Sequence, residues 1–202
     1  MRATDLAFVL LACAVPAVHA QPGTEATPPN EGMSIGYELL EMAMNGFQYF
    51  AGEVGYAFDD RHRLRLTAME VKLTERHLSS EYEAAAIDGE GVTGYLRAYE
   101  LHYQRRMWRG LYLSGAIGYT RDRYKHEESG DELINHTPTV GLGVGYRWKN
   151  PLSVPHLYVD LAVPVRYYIN PIDETQLGDA TVRPHVVVNN IWLFIGGTWG
   201  RS

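Results

Sequence analysis

Cysteine is almost missing from this chain. One cysteine, Cys13, stands among 202 residues, and it lies in the apolar N-terminal segment. Without that segment the protein can form no disulfide, no thiolate metal site and no cysteine nucleophile. Long hydrophobic runs are missing too. Leu6 to Val15 is an apolar core too short to span a bilayer as a helix. Charge of one sign does not dominate: the formal net charge is -6, with no basic run for nucleic acid and no acidic tail. His136, His156 and His185 share no metal-ligand spacing. Gly141, Gly143 and Gly145 alternate within an extended stretch and open no helix, so they form no phosphate loop. Neither a metal nor a cofactor is expected.

The N-terminus reads as an export signal. Arg2 supplies a positive start, the apolar core follows, and Val18-His19-Ala20 is a cleavage site of small residues around a tolerant middle position. Residues 1–20 are therefore expected to be a cleavable signal peptide. A second reading is open: Leu10-Leu11-Ala12-Cys13 also fits a lipoprotein cleavage box. Residues 21–32 carry three prolines and little apolar surface, so they predict a disordered lead-in. Residues 33–202 form the folded unit.

The residues in surplus are 14 tyrosines and 20 glycines. They are spread over long stretches of period-two alternation. From Thr137 to Lys149, Val140, Leu142, Val144, Tyr146 and Trp148 share one face, against Thr139, Gly141, Gly143, Gly145 and Arg147. From His156 to Ile169, Leu157, Val159, Leu161, Val163, Val165 and Tyr167 oppose His156, Tyr158, Asp160, Ala162, Pro164 and Arg166. The same pattern predicts strands over Phe47–Phe58, Arg63–Arg76, Gly94–Met107, Leu111–Lys125 and Asn190–Trp199. In Arg63–Arg76 the apolar phase changes between Leu64, Leu66 and Val71, Leu73, which predicts a β-bulge near Ala68–Met69.

One face is small and charged, the other bulky and nearly uncharged. Small residues suit a cramped concave interior, and a bulky apolar face suits lipid. A sheet in lipid must close on itself, because edge groups find no partners there. Short turns at 59–62, 108–110 and 150–155 alternate with long polar loops at 77–93, 126–136 and 170–181. Placing the short turns in the periplasm requires an upward strand before Phe47, so Ser34–Met44 is expected to be strand one of eight, turning at Asn45-Gly46. An amphipathic helix is the alternative there. Phe58, Trp108, Trp148 and Trp199 then fall at periplasmic strand ends, and Tyr95, Tyr119 and Tyr167 at outer ends, as two interface girdles.

This pattern resembles the small bacterial outer-membrane β-barrels of the OmpA/OmpX type, over Ser34 to Trp199. The resemblance implies an all-β, eight-stranded antiparallel up-and-down barrel with a filled polar lumen. It implies outer-membrane lipid and lipopolysaccharide as surroundings, a monomer, no nucleic acid, and an extracellular partner met through the loops. Such barrels usually end on a terminal aromatic, whereas here Trp199 is followed by Gly200, Arg201 and Ser202.

Eight strands enclose a space that side chains can fill. Glu53, Glu70, Lys72, Glu100, His102, Arg147, Asp160 and Arg166 are expected there as a charge network. Clustered carboxylates could serve as a cation or proton site; paired with arginines they are a plug. His77-Leu78-Ser79 is similar to the His-x-Ser pair of outer-membrane lipid A deacylases, with Glu90 as the downstream acid. A soluble lipocalin-like barrel binding an apolar ligand is the remaining alternative.

Overall fold

The computed structural model describes residues 31–44, 48–73, 85–171, 173–184 and 186–200. The signal and lead-in through residue 30, the Asn45-Gly46 turn, His77, Ser79 and His185 lie outside the described residues. Among those described, eight long strands close into an antiparallel barrel. They are β1 (Glu31–Glu38), β2 (Tyr49–Ala57), β3 (His62–Leu73), β5 (Val92–Trp108), β6 (Leu111–His126), β7 (Glu132–Lys149), β8 (Leu157–Tyr168) and β12 (Trp192–Gly200). Each pairs with its neighbour in sequence, and β12 pairs with β1 to complete the ring. The expected all-β, eight-stranded up-and-down barrel with a filled lumen is the fold observed.

Between these strands, β4 (Ala85–Asp88), β9 (Thr175–Leu177) and β10 (Ala180–Pro184) form a separate three-stranded sheet at the long-loop end. Segment β11 (Val187–Asn189) continues the line of β12 along β8. The ladder is interrupted between them opposite Pro164. Asn190 N–H donates to the Pro164 carbonyl at 3.3 Å, but proline has no N–H to return the bond.

Strand one differs from its expected form. The chain is extended from Glu31 to Glu38 and then turns into a short helix, α1 (Leu40–Met44). Both alternatives for Ser34–Met44 are thus realised in succession, and strand formation starts earlier, inside the expected lead-in. Glu38 decides the switch. Its carboxylate accepts N–H bonds from Leu40 (2.9 Å), Glu41 (3.0 Å) and Met42 (3.4 Å), and from Leu193 of β12 (3.0 Å). It caps the helix and ties it to the barrel wall at once.

The bulge expected at Ala68–Met69 is absent. β3 pairs with β2 and β5 without a slip from one end to the other. What changes is the lumen. Its lower part holds Arg63, Arg65 and Thr67, and its upper part holds Met69, Val71 and Leu73, all buried. Tyr49, Ala51, Leu96 and Ala98 line the same upper region. The interior is charged below and apolar above, so apolar side chains point inward there without any change of register.

The long loops are more ordered than expected. β6 and β7 extend to His126 and Glu132, so the 126–136 loop shrinks to a five-residue turn at 127–131. The 77–93 loop contains β4 and the start of β5, and 170–181 contains β9 and the start of β10. At the other end the turns are short. Asp59 folds one of them by accepting N–H bonds from Arg61 (2.7 Å) and His62 (2.9 Å) and bonding His62 Nδ1 (2.8 Å). Arg109 takes a positive φ of 49° in the tightest, between β5 and β6.

Candidate functional site: the charged lumen

Period-two geometry sends alternate side chains of every strand into the barrel. Glu53 from β2 is the hub of what they build. It is 2 % exposed. Arg63 meets its Oε1 at 2.9 Å, Arg65 its Oε2 at 3.1 Å, and Arg147 approaches Oε1 at 3.5 Å. The Tyr158 hydroxyl donates to Oε1 at 2.7 Å. Asp160 is the second anion. It accepts from the Tyr112 hydroxyl at 2.6 Å and pairs with Arg147 at 3.4 Å and Arg63 at 3.8 Å. Arg63 also donates to Ser34 Oγ (2.6 Å) and Gln104 Oε1 (3.2 Å).

A second cluster is centred on Glu100. It pairs with Arg166 and with His102 Nε2 at 3.0 Å, and Thr67 Oγ1 reaches the same nitrogen at 3.3 Å. Trp192 joins the two clusters. The Arg65 and Arg166 guanidiniums lie 5.7 and 4.9 Å from its ring centroid, and the His102 ring is edge-on to it at 5.8 Å. Four buried arginines thus face three carboxylates. The surplus positive charge rests on aromatic faces: Arg147 sits 3.4 Å from the Tyr158 ring centroid, and Arg65 also contacts Phe194. Desolvated cation–π contacts contribute about 2 kcal/mol each.

Two glycines make the central bond possible. Gly36 and Gly196 are partners across the β1–β12 ladder. A Cβ at either would collide with the Tyr158 hydroxyl. Their absence of side chains opens the path by which Tyr158 of β8 reaches Glu53 of β2 behind two intervening strands.

Chemically this is a plug. Each central carboxylate is engaged by at least one arginine, and a buried pair of this kind resists loss of either partner. Above it, a cavity of about 10 Å³ lies among Tyr49, Met69, Val71, Leu96, Arg166 and Tyr168, barely room for one water. Among the described residues no group of three or more His, Cys, Asp or Glu side chains is placed to hold a metal ion.

Of the eight expected lumen charges, the structure brings together Glu53, Glu100, His102, Arg147, Asp160 and Arg166. Glu70 and Lys72 are elsewhere: both face outward, and Glu70 pairs with Arg97 on the outer surface at 2.7 Å. Without the bulge, even positions of β3 point out along its whole length. The same parity puts Arg63 and Arg65 inside, and these were not foreseen. Their alternation with Leu64 and Leu66 was the available signal. Glu90, the downstream acid of the deacylase-like reading, is exposed in a bend before β5. The seven aromatics expected at the two interfaces, Phe58, Trp108, Trp148, Trp199, Tyr95, Tyr119 and Tyr167, are exposed or part-exposed on the outer face.

Fold and interior together define a small closed β-barrel with a salt-bridged core. No family model matches the chain, and no curated protein matches it. Among solved structures it is similar to the N-terminal β-barrel domain of Pseudomonas aeruginosa OprF, at 13% identity and a TM-score of 0.44, covering 85% of this chain and 99% of that one. It is also similar to Ail, the attachment invasion locus protein of Yersinia pestis, at 14% identity and a TM-score of 0.43, covering 84% and 97%. The architecture itself rests on the strand ladders above.

Proposed function

We propose that the chain is a non-enzymatic bacterial outer-membrane barrel, exported by a cleavable signal peptide, that serves envelope integrity or surface binding through its long-loop end. One observation carries this reading: through the lower part of the barrel the lumen is charged and the outer wall is apolar. Leu66, Leu101, Leu113, Ile117, Val140, Leu142 and Val165 stand exposed on the outer wall, while Glu53, Arg63, Arg65, Glu100, Arg147 and Asp160 are buried in the lumen. Water would have to wet that wall in a soluble protein, at about 25 cal/mol per Å² of apolar surface. Lipid removes the cost. A lipocalin-like carrier would have the opposite polarity and an apolar cavity. The filled interior favours contact at the surface over transport, and the expected surroundings are outer-membrane lipid and lipopolysaccharide.

The test is Leu142→Arg, on an outward residue of β7 that is 74% exposed. An arginine near the membrane midplane should cost about 2–4 kcal/mol of barrel stability. This is measured by urea unfolding in lipid vesicles, read as loss of heat-modifiable migration. A neutral substitution would sink the membrane reading.

A further inference from the structure

The outward charges are not scattered. Three strand ladders bring Glu70, Arg97, Arg121 and His136 into one cross-strand register, from β3 through β5 and β6 to β7. Two residues further toward the long-loop end, Lys72, Tyr95, Arg123 and Ile134 form the next rank, and Lys125 stands opposite Glu132 beyond it. Five cations, Lys72, Arg97, Arg121, Arg123 and Lys125, face two carboxylates on this wall, in a chain whose net charge is -6. Among the described residues no carboxylate lies within ion-pair distance of Lys72, Arg121 or Lys125. The two arginines that are paired, Arg97 to Glu70 and Arg123 to Glu132, both at 2.7 Å, are about half exposed. Exposed pairs contribute little, so either arginine can turn to another anion at small cost.

The rank directly beneath is Ala68, Tyr99, Tyr119 and Pro138, and beneath that stand Leu66, Leu101, Ile117 and Val140. All project from the same outer face. A ligand reaching the cations from the side therefore has bare apolar wall below and phenol rings between. Four adjacent strands span three gaps, about 15 Å along the ladder. Only an amphiphile matches both parts: an anionic head for the arginines, apolar chains for the wall. Bidentate guanidinium contacts favour phosphate.

We propose that the outer wall of β3, β5, β6 and β7 is a binding site for a phosphorylated multi-acyl lipid of the surrounding leaflet, with Arg97, Arg121, Arg123 and Lys125 holding its phosphates and Leu101, Ile117 and Val140 its chains. The lipid A moiety of lipopolysaccharide has this chemistry. The proposal rests on the outer-membrane reading above.

The experiment uses the protein refolded into zwitterionic bilayers, with bisphosphorylated lipid A, dephosphorylated lipid A and inorganic pyrophosphate as probes. Lipid retained after detergent extraction is read by native mass spectrometry. The wild type should keep the bisphosphorylated lipid at least tenfold over the dephosphorylated one. The fourfold variant Arg97→Gln, Arg121→Gln, Arg123→Gln, Lys125→Gln should lose that preference while keeping heat-modifiable migration. If it does not fold, Arg121→Gln alone should lower the preference about threefold. Equal retention of both lipids, an unchanged preference in the folded variant, or displacement by pyrophosphate as effective as by lipid A overturns the site. A wild type that never enters bilayers sinks the membrane reading itself; one that enters without preference sinks only this site.

Discussion

Individual side chains carry the lumen. Arg65 is 1 % exposed and pairs with Glu53 while covering Trp192 and Phe194. Arg65→Ala should cost about 3–5 kcal/mol, the usual penalty for stranding one member of a buried pair. The unfolding midpoint in urea measures it, and a shift worth under about 1 kcal/mol would mean that the other arginines compensate for its loss. At the short-turn end, the His62 side chain and the backbone N–H groups of Arg61 and His62 pull the Asp59 carboxyl down to about 2. Its folded value lies below the ordinary 3.8, so its stabilisation is present above about pH 4 and lost as pH falls toward 2. The stability gap between wild type and Asp59→Asn should therefore be flat above pH 4 and close below it. A pH titration of both unfolding curves reads this directly. At this scale the sequence was legible wherever strict alternation held, as for Glu53, Glu100, Asp160 and Arg166. It misled at β3, because Val71 and Leu73 looked as if they should face lipid. They face an apolar upper lumen that only the assembled barrel creates.

Among the elements, the β4–β9–β10 sheet is the least expected. Strands of three to five residues leave too short a pattern to read, and two of their partners come from loops far apart in sequence. Among the described residues, the sheet is tied to the β6–β7 hairpin around His126. His126 Nε2 meets Asp179 at 2.8 Å, Gly178 N–H donates to Asp131 at 3.2 Å, and Ser129 N–H donates to His126 Nδ1 at 3.1 Å. Gly178, at φ 64°, packs directly on the His126 ring. His126→Ala should free the β9–β10 hairpin without opening the barrel. Limited proteolysis of intact cells or vesicles should then cut near Gly178 several-fold faster, with the transmembrane core surviving. Equal cutting rates would place the anchor elsewhere. Helix α1 was half legible: its residues are good helix formers, but the capping role of Glu38 depends on Leu193, 155 residues away. No local pattern announces such a partner.

As a whole, the barrel is taller on one side. β5, β6 and β7 have 17, 16 and 18 residues, against about 9–11 needed to cross a bilayer. β1 and β12 have 8 and 9. The tall wall carries the outward cations and supports the upper sheet, so both surface features belong to one side of the molecule. The plug fills the lumen on every side, and the whole protein should not conduct. In planar bilayers, folded wild type is expected to give no stable step at any voltage below rupture. A reproducible single-channel level would show that the charge network opens. Closure, strand number and polarity were readable from alternation and loop lengths together. The asymmetry of height was not, because it depends on how far the β5–β6 and β6–β7 hairpins stay paired beyond the rest of the barrel.

The glycine pair Gly36 and Gly196 has a kinetic meaning as well. The ladder they sit in pairs the strands farthest apart in the described sequence, Glu31 with Gly200, so its loop-closure cost is the greatest and it is expected to form last. Tyr158 reaches Glu53 only across that zipped seam, so their hydrogen bond cannot precede closure. Glu53 with Arg63 or Arg65, and Arg147 with Asp160, can pair between neighbouring strands of an open sheet, whereas Arg147–Glu53, Arg63–Asp160 and Arg166–Glu100 also reach across the closed lumen. The Tyr158–Glu53 bond therefore acts as a latch. It drops when the cylinder shuts, and from then on it slows the reopening of the seam that made it possible.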